Sequence, residues 1–245
     1  MSRRIDYHPC FILHHRAWSE TSLILDVFSL LHGRLSVMAR GARSGRRGQA
    51  ALLQPLRRLN LAWSGRSEMV TLTGAESAGD PWRLEGGRLL SAFYLNELLL
   101  RLLHRHEPHP ELFQAYADSL DSLAGSDDEE RVLRLFEKHL LRTLGYGLVL
   151  DHETRSGRPV HADQEYYYHF DHGPDTGKPA GGNAIQISGR TLLALYSEAP
   201  WDRDIARESK RLLCGIIDRH LENRPLQSRE LYKAYMKNRT PQEQE

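Results

Sequence analysis

Residues 34–40 read RLSVMAR, and within them Leu35, Val37 and Ala39 alternate with Arg34, Ser36, Met38 and Arg40. A period of two is that of a β-strand with one face toward a core and the other toward water, so both arginines are expected on the wet face. Working outward, Cys10 to His14, Ser22 to Ser29, Leu56 to Trp63 and Glu68 to Thr73 are likewise rich in Val, Ile, Leu or aromatic residues, with turns bearing Gly or Ser between them. Five short strands within about 65 residues fit a small barrel.

The same region is chemically one-sided. From Gly33 to Glu68 the chain places Arg34, Arg40, Arg43, Arg46, Arg47, Arg57, Arg58 and Arg66 without an intervening Asp or Glu. The chain as a whole has a formal charge of only +1, so positive charge is segregated into its N-terminal third, where eleven arginines in residues 1–80 face six acids. Such a surface suits a polyanion, and a phosphate backbone is the expected target. The segment Gly41 to Gln49 holds three Gly and three Arg, a flexible loop able to follow phosphates without fixed geometry. We take Arg34, Arg40, Arg43, Arg46, Arg47 and Arg57 as the DNA-binding candidates. Stacking platforms for bases are scarce: Trp18, Phe28 and Trp63 are the candidates, and each is assigned to the core. Binding is then expected to be independent of sequence and steeply dependent on salt.

After Pro81 the period becomes helical. Leu89, Leu90, Phe93, Leu95, Leu98, Leu99, Leu102 and Leu103 form a wide apolar stripe, and Pro110 opens a helix running to about Leu123. Asp127 with Glu130 reads as a capping box for a third helix that Gly145 closes. Helical patterning resumes at Arg190 to Glu198, Asp202 to Leu221 and Ser228 to about Met236. Between them, residues 151–187 read as an irregular insertion, with Tyr166 to Tyr168, Phe170 and Ala184 to Ile187 as possible short strands. The expected architecture is α+β: a barrel domain over residues 1–80, then a helical bundle domain over 81–245 that carries the insertion.

Two further patterns bear on function. On the third helix, Arg131, Arg134, Lys138 and Arg142 recur at intervals of three and four, a basic stripe beside an apolar one. A groove with an apolar floor and a rim of Arg131, Arg134 and Arg142 would accept an acidic peptide ending in hydrophobic residues. The insertion carries Asp151, His152, Glu153, His161, Asp163, His169, Asp171 and His172, which would be the ligands of a metal-dependent hydrolase. Their spacing does not match a metal motif, and neither a Walker loop nor a GxSxG elbow occurs. No metal, cofactor or catalytic residue is therefore expected. Only Cys10 and Cys214 are present, no apolar run approaches the roughly 20 residues of a membrane helix, and the N-terminus has no signal-peptide core, so a cytoplasmic protein without membrane insertion is expected.

Four ordered blocks add a family resemblance. RAWSETSLILDVFSLLHGRLSVMARGARS (Arg16 to Ser44), YLNELL (Tyr94 to Leu99), LGYG (Leu144 to Gly147) and PLQSREL (Pro225 to Leu231) resemble the RecO recombination mediators over nearly the whole chain. The resemblance implies an N-terminal five-stranded OB-fold barrel, a helical bundle and an inserted module between bundle helices. It also implies a protein without catalytic turnover that binds single- and double-stranded DNA and anneals complementary strands. Its implied partners are RecR, the C-terminal tail of single-stranded-DNA-binding protein and, functionally, RecA and RecF, in a nucleoid-associated setting. Some members carry a four-Cys zinc finger in the inserted module; residues 151–187 contain no Cys, so zinc is not expected. The alternatives from other classes are the hydrolase and an adaptor that touches protein partners only.

Overall fold

The computed structural model describes residues 4–44, 49–125, 128–178, 184–222 and 224–239. Strands β1 (Arg4–Trp18), β2 (Ser22–Ser29), β3 (Gly33–Ala39), β4 (Arg58–Ser64) and β5 (Met69–Ser77) close into a barrel in the order β1-β2-β3-β5-β4, with a short helix α1 (Gln49–Leu52) between β3 and β4. Closure comes from the parallel pairing of β3 with β5, through Ser36 opposite Met69, Val37 opposite Val70 and Met38 opposite Thr71. All other barrel pairings are antiparallel. Five strands in this order, with a helix between the third and fourth, make the OB-fold expected.

Alternation sorts the side chains as the sequence suggests. Cys10, Ile12, Leu25, Val27, Leu35, Val37, Ala39, Leu59, Leu61 and Val70 fill the interior. The opposite face of β1 and β2 is also apolar where Phe11 lies against Phe28, and it is covered by α3 (Pro110–Gly125). There Phe113 packs at ring-centroid distances of 4.6 Å from Phe11 and 5.4 Å from Phe28. Each buried ring is worth roughly 1.5–3 kcal/mol of transfer free energy, and this second layer fixes the helices to the barrel. Asn96 of α2 (Gly86–Leu102) completes it, donating to the Leu13 carbonyl and accepting from the Tyr116 hydroxyl.

One residue of β1 alters everything beyond it. The register with β2 pairs Ile12 with Val27 but His14 with Asp26, leaving Leu13 as an extra residue in a bulge. A bulge shifts the two-residue period, so residues that would continue the inward set of Cys10 and Ile12 are turned outward. Beyond it Arg16 pairs with Ile24 and Trp18 with Ser22.

Arg34 departs from its expected place in solvent. It is half-buried, and its Nε donates to the Leu103 carbonyl at 3.1 Å. The cause is the segment after α2, which runs over the outer face of β3: His106 donates its backbone N–H to the Arg34 carbonyl and Arg105 donates to Ser36 Oγ at 2.7 Å. Burial, then repulsion from Arg105, pushes the Arg34 guanidinium below its ordinary pKa, with Asp26 opposing.

The chain divides into two compact units. One comprises Met1–Ser126 with Leu226–Glu245, the other Asp127–Pro225. In the first, α7 (Gln227–Arg239) returns to pack on α2, and the Glu97 carboxylate accepts from the backbone N–H groups of Gln227 and Ser228 and from the Ser228 hydroxyl. A carboxylate on the unpaired amides of a helix start satisfies donors and opposes the helix dipole.

The second unit holds α4 (Glu129–Thr143), α5 (Gly189–Ser197), α6 (Arg203–His220) and a three-stranded antiparallel sheet. The stretch expected to be irregular is thus more ordered than its composition suggests. β6 (Glu165–His169) lies between β7 (Gly173–Asp175) and β8 (Ala184–Ser188), with Tyr166, Tyr168 and Ile187 buried. The α4 cap is Asp128, whose carboxylate accepts from the Arg131 N–H; Asp127, expected in that role, lies outside the described residues. Glu208 of α6 accepts from Ser188 and Thr191 at the start of α5, which outweighs desolvation and holds its carboxyl below the usual range.

Candidate nucleic-acid interface

At one end of the barrel the β1–β2 hairpin meets the loop that follows β3. Arg40 and Arg43 are exposed there, as expected. The loop is not loose over its described part. Ala42 is buried in the barrel core, Gly41 takes a left-handed φ of +68°, and Ser44 returns to the Gly41 carbonyl through both its N–H and its hydroxyl. Arg43 is tied to the hairpin twice: its backbone N–H donates to the Thr21 carbonyl at 2.8 Å and its Nη1 to the Ser19 carbonyl at 3.0 Å. Arg46 and Arg47 lie outside the described residues. Arg57 is half-buried just ahead of β4, and Arg34 is engaged beneath Arg105.

The aromatic residues divide. Phe28 and Trp63 are 0 % and 3 % exposed and belong to the core as assigned. Trp18 does not: it is 50 % exposed at the end of β1. Read by uninterrupted alternation from Cys10 and Ile12, Trp18 falls on the core side, and the bulge at Leu13 puts it on the other. No residue in the stretch signals that bulge, so Trp18 was the functional candidate least accessible to sequence reasoning.

The basic stripe of α4 is also divided. Arg134 is 4 % exposed, pairs with the fully buried Glu137 at 2.6 Å and donates to Cys214 Sγ, so it belongs to the interior of its unit and not to a rim. A charge buried with its counter-ion is a framework element. Arg131 instead donates to the Glu198 carbonyl and lies over the Trp201 ring at 6.0 Å, while Lys138 donates to the Leu195 carbonyl and pairs with Glu198. Arg142 is exposed beside His139. Near Arg131 opens a cavity of about 500 Å³ whose lining includes Leu193, Ala194, Pro200, Trp201 and Ile205, with Arg190 and Asp202 paired at it. An apolar floor with cations beside it therefore exists, with Arg190 in its lining and Arg131 over Trp201, while Arg134 is buried away from it. Arg190, in the first turn of α5, and Trp201, just ahead of α6, were missed because their helices have neighbours in space that are remote in sequence.

Four of the candidate metal ligands of the insertion have ordinary tasks. His152 pairs with Asp151, Glu153 accepts from Ser156, and Asp171 pairs with Arg219. Among the described residues no three His, Cys, Asp or Glu side chains are gathered as a metal site, and no helix is long and apolar enough to cross a membrane.

Comparison with known proteins agrees with the barrel-and-helix geometry. Residues 7–80 match the family model described as recombination protein O N terminal, and residues 83–230 the one described as recombination protein O C terminal. The chain is 47% identical over 231 residues to the DNA repair protein RecO of Methylococcus capsulatus, covering 94% of each chain. It is 44% identical over 240 residues to that of Alkalilimnicola ehrlichii, covering 97% of this chain and 94% of the relative. To the DNA repair protein RecO of Nitrosococcus oceani it is 43% identical over 228 residues, covering 93% of each. With both halves of the chain matched in order, the protein belongs to the RecO family of DNA repair and recombination proteins.

Proposed function

We propose that this protein is a DNA-binding recombination mediator that works without catalytic turnover. It anneals complementary strands and, with RecR, promotes RecA loading onto gaps covered by single-stranded-DNA-binding protein. The observation that carries the reading is the placement of Arg40 and Arg43 on one end of an OB barrel, with Arg43 held to the β1–β2 hairpin by two hydrogen bonds. A fixed cation loses less conformational entropy on meeting phosphate than a free one. Arg46, Arg47 and Arg57 follow in the sequence with no acid among them, so a surface that neutralises several phosphates while base edges stay available for pairing is the reading this charge supports.

The second unit serves the partner. The cavity at Trp201, with Arg131 over that ring and Arg190 in its lining, has the chemistry for an acidic tail with a hydrophobic end, as the tail of single-stranded-DNA-binding protein is expected to have. Work on DNA of this kind places the protein in the cytoplasm, at the nucleoid.

The test is binding of a fluorescent single-stranded oligonucleotide across a salt titration, with wild type beside a variant in which Arg40, Arg43, Arg46 and Arg47 are changed to Glu. If about six phosphates are neutralised, log affinity should fall against log salt with a slope near −4 for wild type. The variant should bind weakly with a shallow slope. Weak wild-type binding that the reversal leaves unchanged would refute the mediator reading and favour a protein-only adaptor.

A further inference from the structure

We infer that Trp18 is a stacking platform for an unpaired base, held beside the cations that bind the adjoining phosphates, so that this end of the barrel selects single strands over duplex. The inference rests on the DNA-binding reading above and goes beyond it by assigning a base contact to a surface otherwise explained by charge alone.

Four observations converge on this residue. Trp18 is half exposed, although nothing in the sequence around it requires an indole in water. It is the last paired residue of β1, opposite Ser22, so it stands on a rigid hairpin. The bulge at Leu13 places Arg16 on its face, two residues earlier and so roughly 7 Å away along the strand. On the other side, Ser19 adopts a left-handed φ of 54° and offers its carbonyl to Arg43 Nη1, with Thr21 holding the Arg43 backbone. An aromatic face is thereby bracketed by Arg16 and Arg43, with Arg40 in the adjoining loop and Glu20 the one acid in the turn between Trp18 and Ser22. Alternating base and phosphate is the pattern such a surface fits, and every base offers a face to stack whatever its identity. A duplex offers none except at its ends, because its bases are already stacked on each other.

The experiment uses the full chain and three fluorescent probes: a thymidine oligonucleotide, a strand of equal length whose sugars carry no bases, and a duplex. Trp18→Ala, Trp18→Phe and wild type are compared after circular dichroism confirms that each is folded. Loss of one stacked base should weaken thymidine binding by Trp18→Ala roughly 5- to 150-fold. Its affinity for the base-free strand and the duplex, and its salt slope, should stay at the wild-type values, and Trp18→Phe should recover most of the loss. Quenching of tryptophan fluorescence on thymidine binding should shrink in both variants. An equal loss on the base-free strand would overturn the platform and leave Trp18 as a shaper of the hairpin. No loss on any probe would overturn it as well and mark the indole as idle for DNA. Failure of wild type to bind any probe would sink the DNA-binding reading itself, a result distinct from either.

Discussion

Ser228 donates its hydroxyl to the Glu97 carboxylate at 2.7 Å, joining residues 131 positions apart. Glu97 takes the Ser228 and Gln227 N–H groups as well, and Arg101 lies beside it. Desolvation pushes its carboxyl upward, but these hydrogen bonds and Arg101 outweigh it, leaving the folded value below the ordinary one. Changing Glu97 to Gln should cost about 1–2 kcal/mol in urea denaturation near pH 7. A carboxyl with a depressed folded pKa stabilises fully above its unfolded value and loses that contribution as pH falls through its folded value. The gap between wild type and Glu97→Gln should therefore narrow below about pH 4.

Arg134 and Glu137 form a buried pair on one turn of α4, the carboxylate with no exposed surface. Arg134→Ala should cost about 3–5 kcal/mol because Glu137 is left charged and uncompensated. The double change Arg134→Met with Glu137→Leu should fall within about 2 kcal/mol of wild type. Chemical denaturation of the three proteins checks both figures.

Gly33 has φ +64°, and a Cβ built on it would lie 2.1 Å from the Glu107 carbonyl oxygen. Strain and clash act together, and the obstacle is backbone that cannot swing aside. Gly33→Ala should lower stability by at least about 2 kcal/mol, read as a lower midpoint in thermal unfolding.

Cys10 is fully buried in the barrel, and burial pushes its thiol up to about 12 against the smaller lowering by hydrogen bonds to Ser29 and Leu61. Thiolate is the reactive form. Iodoacetamide near pH 8 should therefore leave Cys10 unmodified in native protein and alkylate it once denaturant is added, as mass spectrometry of peptides would show.

The barrel was legible because its signal is local: Leu35, Val37 and Ala39 face inward as their spacing says, and Arg40 faces water. What stayed hidden depends on residues far away or on a shift in period. Arg34 has the spacing of an exposed residue, yet Leu103 and Arg105 cover it from about 70 positions downstream. Trp18 was turned outward by one extra residue at Leu13. β7 is Gly-Pro-Asp, three residues of poor strand propensity that pair only because β6 supplies an edge. On α4, periodicity placed Arg131, Arg134 and Arg142 along one stripe, and a stripe about 80° wide was enough for Arg134 to fall on the side facing Cys214.

The return of α7 to α2 has a consequence for how the protein is made. Residues 226–239 leave the ribosome only after all of residues 127–225, so the unit that holds the barrel waits for its last helix while the whole intervening unit is synthesised. Until then the amide sites on Glu97 and the surface of α2 that α7 covers are open to chaperones and proteases. A nascent chain halted after Pro225 would carry a barrel with every strand present and still lack a wall of its own unit.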